Sequence, residues 1–216
     1  MNFLRTQTLT RIADSLKLFL NGSLWKTQSQ LDLVAGQGIK FTQLETKDVS
    51  TLTVSTTGDN GSIGYWGSFW DMTDQTIAST TTAYVVNLGN ANADNNGVSV
   101  VSGNRVTVAN AGVYNIAVSV QVTSTNVQIH DAWFWFRKNG TDIPASCSQI
   151  SVPQSHGGNP GALIFYVNIF EKMAAGDYIQ LVWSASDVTV SLQHIHALTS
   201  PTRPETPSVI LTVNQV

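Results

Sequence analysis

The sequence predicts an all-β protein, a sandwich or jelly roll, preceded by a small N-terminal region holding one short helix and short strands. Three observations lead there. Short apolar runs recur along the 216 residues with Gly, Asn and Pro between them. Several of these runs alternate with a period of two, and only one segment, near the N-terminus, carries a helical period. No repeat of fixed length is found, which argues against propellers and solenoids.

The clearest alternation is RVTVANAGVYNIAVSVQV, residues 105–122. Tyr114, Ile116, Val118, Val120 and Val122 form one face of a half-buried strand, entered through a tight turn at Ala111-Gly112. Asn115, Ala117, Ser119 and Gln121 form the other face. None of these four is charged, so that face is expected to be covered rather than left to water.

Composition narrows the function classes. With 42% apolar residues the chain can bury a sizeable core. Only 12% of residues are charged and the net charge is −3, so neither nucleic acid nor an anionic membrane surface is an expected partner. Cys147 is the sole cysteine, which rules out an intrachain disulfide and fits a buried thiol in a reducing cytosol. The start lacks the basic, apolar and small-residue pattern of an export signal. No segment approaches the ~18 apolar residues of a membrane span. A chain made in the cytoplasm, without membrane insertion, is the expectation.

Along the chain, Leu9, Ile12, Ala13, Leu16, Phe19 and Leu20 are spaced as the apolar stripe of a short helix over residues 9–20, with Asn21-Gly22 as its stop. Twelve residues make a helix of about 18 Å, marginal alone in water. Its stripe needs its own domain, further copies of itself or a larger assembly. Residues 31–55 read as short strands around the turn Gly36-Gln37-Gly38, and the polar stretch 56–62 marks the boundary between a region 1–60 and a knob 61–216.

In the knob, Tyr65, Trp66, Phe69 and Trp70 must be tucked against something, since each aromatic buries roughly 150–250 Å². The loop NANADNNG, residues 90–97, imitates a calcium loop but has Val101 where the closing Glu is needed, so it reads as a turn. Residues 132–136, AWFWF, and 163–170 are apolar on both faces and are expected to be covered twice. Asn139-Gly140 is a hairpin signal. Pro201, Pro204 and Pro207 impose an extended connection before a last strand, SVILTVNQV.

Catalytic patterns are weak. His130-Asp131 has the right residue types, but neighbours on a strand point to opposite faces. His194 and His196 flank Ile195 and point the same way, as two metal ligands would. Two ligands do not make a site within one chain, although three chains around an axis would supply six. No catalytic residue, cofactor or metal site is assigned, and the chain is read as not an enzyme.

Three landmarks in order, VTVANAGVYNIAVSVQV, WFRKNG and NIFEKMAAGDYIQLVWS, resemble the globular-head superfamily shared by tumour necrosis factor and the complement recognition protein. The resemblance covers residues 64–198. It implies a two-sheet jelly roll that trimerises through one sheet, with Tyr114, Ile116 and Val118 in the core. Asn115, Ala117, Ser119, Ile164, Tyr166 and Asn168 would then face the three-fold axis. LDLVAGQGIKF with STLTVS is similar to strand units near the attachment ends of phage fibres, and GSFWDMTDQTIAS with PSVILTVNQV to knobs of tailed phages. These likenesses imply a virion surface protein, a trimeric capsid decoration or short head spike. Its partners would be other virion proteins of the capsid or tail, contacted through residues 1–60 with Leu9, Ile12, Leu16, Phe19 and Leu20. The alternative is a receptor-binding tail-fibre knob that takes a host-surface glycan or protein on loops such as 90–97 or 151–161.

Overall fold

The computed structural model describes residues 64–216 in full and, before them, only the backbone of four short strands. The chain divides into two compact units, Met1–Ser62 and Ile63–Val216. In the first, β1 (Phe19–Leu20) pairs antiparallel with β2 (Ser23–Leu24), and β3 (Ile39–Glu45) with β4 (Ser50–Thr56). Leu9, Ile12 and Leu16 lie outside the described residues. Phe19 and Leu20, expected in the last helical turn, are instead extended. Asn-Gly, which separates β1 from β2 in the sequence, is also the strongest two-residue hairpin signal, in keeping with the register Leu20↔Ser23.

The second unit contains β5 (Trp66–Asp71), β6 (Gln75–Thr76), β7 (Tyr84–Val85), β8 (Asn90–Ala91), β9 (Val98–Val101), β10 (Arg105–Val108), β11 (Gly112–Ser124) and β12 (His130–Lys138). It continues through β13 (Thr141–Asp142), β14 (Ser148–Val152), β15 (Gly161–Met173), β16 (Tyr178–Ala185), β17 (Val190–Leu192), β18 (Leu198–Thr199), β19 (Thr202–Arg203) and β20 (Val209–Gln215). Two antiparallel sheets account for all but the β18–β19 hairpin. Sheet one has the order β13-β12-β16-β10-β9, with β14 also on β12 and β7 on β16. Sheet two has the order β6-β17-β11-β20-β5-β8, with β15 on β11. An all-β arrangement of two sheets agrees with the fold class read from sequence and is compatible with a jelly roll.

The Ala111-Gly112 turn does more than join neighbouring strands. It carries the chain from β10 in sheet one to β11 in sheet two. A Cβ at position 112 would lie 2.1 Å from Gln215 Nε2, so a larger residue there would displace that side chain, whose amide donates to the Ala111 carbonyl at 3.1 Å.

The core lies between the sheets. Tyr114, Ile116, Val118, Val120 and Val122 of β11 are all buried, as their alternation predicts. They meet Phe134, Phe136, Ile179, Leu181 and Trp183 of sheet one in a single apolar cluster. Each such side chain contributes roughly 1.5–3 kcal/mol on full burial. The Phe134 ring stacks on Phe165 of β15 at 4.4 Å between centroids and on Trp183 at 6.1 Å, so one aromatic column ties the two sheets together. Near one end, Lys138 of β12 forms an ion pair with Glu171 of β15.

The Asn139-Gly140 signal is borne out. Both residues have positive φ, 49° and 84°, between the paired residues Lys138 and Thr141, which a type I′ turn requires. Asp177 locks this turn to the next one: Asn139 Nδ2 donates to Asp177 Oδ1 at 2.8 Å, and the Ala174 N–H donates to Oδ2 at 2.8 Å. The Asn139 side chain and then the Ala174 amide hold the Asp177 carboxyl below the ordinary carboxylate range. A carboxyl depressed in the folded state stabilises fully above its unfolded pKa of about 3.9, and that stabilisation is lost as pH falls through the lower folded value. Asp177→Asn is therefore expected to flatten part of the decline in Tm between about pH 5 and pH 2. An acid limb identical to that of the wild type would refute the assignment.

Candidate functional site

The outer face of sheet two brings the sequence-derived residues together. β11 and β15 pair along their whole lengths, from Gly112↔Met173 to Ser124↔Gly161, so their alternations stay in phase and outward residues stand beside outward residues. Asn115 is opposite Phe170, Ala117 opposite Asn168, Ser119 opposite Tyr166, and Gln121 opposite Ile164. All six residues read as axis-facing thus share one face.

The other flank of β11 extends the surface. Asn214, Thr212 and Ile210 of β20 stand opposite Asn115, Ala117 and Ser119, and Trp66, Ser68 and Trp70 of β5 stand opposite those in turn. The rows are Trp70, Ile210, Ser119, Tyr166; then Ser68, Thr212, Ala117, Asn168; then Trp66, Asn214, Asn115, Phe170. None of these side chains is charged; Lys172, opposite Val113, stands at the rim. Across the middle, Asn168 Nδ2 donates to Asn115 Oδ1 at 2.5 Å, and Asn115 Nδ2 to Asn214 Oδ1 at 3.3 Å.

Sequence reasoning missed Trp66, Trp70 and Ile210 as members of this face. The signal was present in the period-two spacing of WGSFW, which sends Phe69 into the core and the two Trp side chains outward. The expectation that residues 163–170 are covered on both faces is not met within one chain. Phe165 is buried, whereas Ile164 and Tyr166 are each 64% exposed and Phe170 is 62% exposed. Among the described residues β15 pairs with β11 alone, which leaves one edge of this thirteen-residue strand open there. A long edge with apolar side chains is a template for another chain. What this surface offers chemically is apolar area and amide hydrogen bonding.

The remaining motifs fall elsewhere. His130 Nε2 lies 3.8 Å from Asp187 Oδ2, while Asp131 Oδ1 accepts from Ser151 at 2.8 Å, so the sequence neighbours do not form a pair. In the 90–97 loop, the Asp94 amide donates to Asn92 Oδ1 and the Ser68 amide to Asn95 Oδ1, which is turn chemistry. That loop flanks β5, with Asn96 bridged to Trp66. The 151–161 loop instead lies where β11 ends: the Ser155 amide donates to Asn126 O, and the Thr125 amide to Thr189 O. Exposed Val127, Ile129 and Val188 belong to the loops gathered there. Cys147 is exposed rather than buried. Ser146 takes the inward place, its Oγ donating to Ile143 O at 2.8 Å and accepting from the Phe136 amide at 3.0 Å.

Compared with known protein families and with curated proteins, the chain matches none.

Proposed function

We propose that the protein is a structural component of a virion, a homotrimer whose knobs are jelly rolls of the tumour necrosis factor and complement type. In this reading it decorates the capsid or forms a short head spike, with residues 1–60 docked on the particle and the knob outward. The observation that carries the assembly is the uncharged outer face of sheet two, with Ile164, Tyr166 and Phe170 exposed on an open edge strand. Covering each of these side chains contributes roughly 1.5–3 kcal/mol. Repeated in every copy, such terms offset the several kcal/mol lost when free molecules are ordered. A ring closes such a head-to-tail contact without leaving an open end. The copy number of three follows the resemblance to the globular heads, and the virion location follows the likeness of both chain ends to phage fibres and knobs.

A second reading, a receptor-binding tail-fibre knob for a host glycan or protein, is favoured by exposed Val127, Ile129 and Val188 at the loop-rich end where β11 finishes. Two measurements test these readings. Sedimentation of the full chain at micromolar concentration is expected to give three times the 23.3 kDa chain mass; a monomer overturns the assembly. Particles lacking the protein are expected to adsorb to their host normally and to rupture sooner on heating. Lost adsorption with unchanged robustness transfers the assignment to the receptor reading.

A further inference from the structure

Between β17 and β20 the chain leaves sheet two as a two-stranded ribbon. Ile195 and Thr206 exchange both backbone hydrogen bonds, at 3.0 and 2.8 Å. The pairs Leu198↔Arg203 and Thr199↔Thr202 continue in the same register, which sets Glu205 opposite His196. Side chains alternate across such a ribbon, so His194, His196 and Glu205 share one face, with Ile195 and Thr206 on the other. The acid that the sequence lacked beside the two histidines thus arrives from across the hairpin.

We propose that this face is a binding site for one divalent transition-metal ion, with His194, His196 and Glu205 as its ligands. Their donor atoms all lie within 4.8 Å of one another. His194 Nε2 and Glu205 Oε2 are 3.1 Å apart, and the two imidazoles meet edge to face with centroids at 4.6 Å. Ligands about 2.0–2.1 Å from a tetrahedral ion stand roughly 3.4 Å from each other, so side-chain rotation of about an ångström completes the set. The frame is already fixed. The His194 amide donates to Asp74 Oδ1 at 2.7 Å, the His194 side chain is only 9% exposed, and Pro204 and Pro207 restrain the strand that carries Glu205.

The donor set selects the ion. Two imidazoles and one carboxylate suit Zn²⁺, Co²⁺, Ni²⁺ or Cu²⁺, whereas Mg²⁺ and Ca²⁺ take oxygen ligands. Three protein ligands leave a fourth position for water. The site lies within a single chain and does not depend on the assembly proposed above.

The test is a Co²⁺ titration of the untagged full-length protein, followed by visible absorption. Saturation at one ion per chain, with the signal abolished by Zn²⁺ and untouched by Mg²⁺ or Ca²⁺, is the expected result. His196→Ala and Glu205→Gln are each expected to weaken binding by more than roughly tenfold, the least that even outer-shell partners of a metal site contribute. Both residues are exposed, so these variants are expected to fold, which circular dichroism checks. Glu205→Gln also keeps a hydrogen-bond acceptor for His194, which separates ligation from a merely structural contact. His156→Ala, on a different loop, is expected to bind as the wild type does. Absence of saturable absorption, or wild-type affinity in His196→Ala or Glu205→Gln, overturns the proposal.

Discussion

Tyr166→Glu is expected to yield folded monomers at micromolar concentration. Tyr166 projects from the edge strand β15 on the charge-free face and is 64% exposed in the single chain, so its replacement costs the fold of one copy little. In the proposed trimer the same substitution removes an aromatic contact, a type commonly worth 2 kcal/mol or more at an interface. It also places a carboxylate without a partner in each of three copies, at several kcal/mol per buried ion. A combined loss above about 4 kcal/mol lowers the association constant by roughly a thousandfold. Sedimentation reads that change directly, and circular dichroism shows whether each chain remains folded. Tyr166→Phe keeps the ring and is expected to stay assembled. A Glu variant that still sediments as a trimer would move the interface away from Asn115, Ala117, Ser119, Ile164, Tyr166 and Asn168 together.

Phe134→Ala carries the largest expected loss of stability within one knob. Phe134 is 1% exposed and stacks between Phe165 of sheet two and Trp183, its own cross-strand partner. Truncating a buried Phe costs about 3–5 kcal/mol through lost transfer energy and the cavity left behind. With an m-value near 2 kcal/mol/M, the urea midpoint is expected to fall by roughly 2 M. Phe134→Leu fills part of the space and is expected to lose less than half as much. A midpoint within about 0.3 M of the wild type in the Ala variant would show that the column does not hold the sheets together. Because Phe165 and Tyr166 are adjacent on β15, Phe134→Ala is also expected to loosen the outer face and weaken assembly. Tyr166→Glu has no matching effect on the core.

The alternation of Tyr114, Ile116, Val118, Val120 and Val122 made the central strand and its buried face legible, because every second side chain must take the same side. The in-phase pairing of β11 and β15 placed Asn115, Ala117, Ser119, Ile164, Tyr166 and Asn168 on one surface for the same reason. Periodicity does not say which sheet a strand joins. The turn at Ala111-Gly112 was therefore read as a local connection rather than a crossing of the core. The aromatics from Tyr65 to Trp70 were read by composition, which hid that Phe69 faces inward while Trp66 and Trp70 face outward. Glu205 escaped notice beside His194 and His196 because register in a hairpin depends on pairing at Ile195 and Thr206, and the spacing of the histidines is silent about it. Phe19 and Leu20 satisfy a helical stripe and a hairpin equally, since runs this short fit both periods.

The order of strands in sheet two bears on how the protein is synthesised. β5, near the beginning of the knob, and β11 do not pair with each other; β20, more than eighty residues after β11 in the sequence, sits between them and pairs with both. Everything up to β20 must therefore be synthesised before the sheet can close, and pairings so distant in sequence form slowly. In the proposed trimer, copies recognise one another only once β20 is in place, and a product that ends before β20 lacks the β20 and β5 part of the surface proposed to join them.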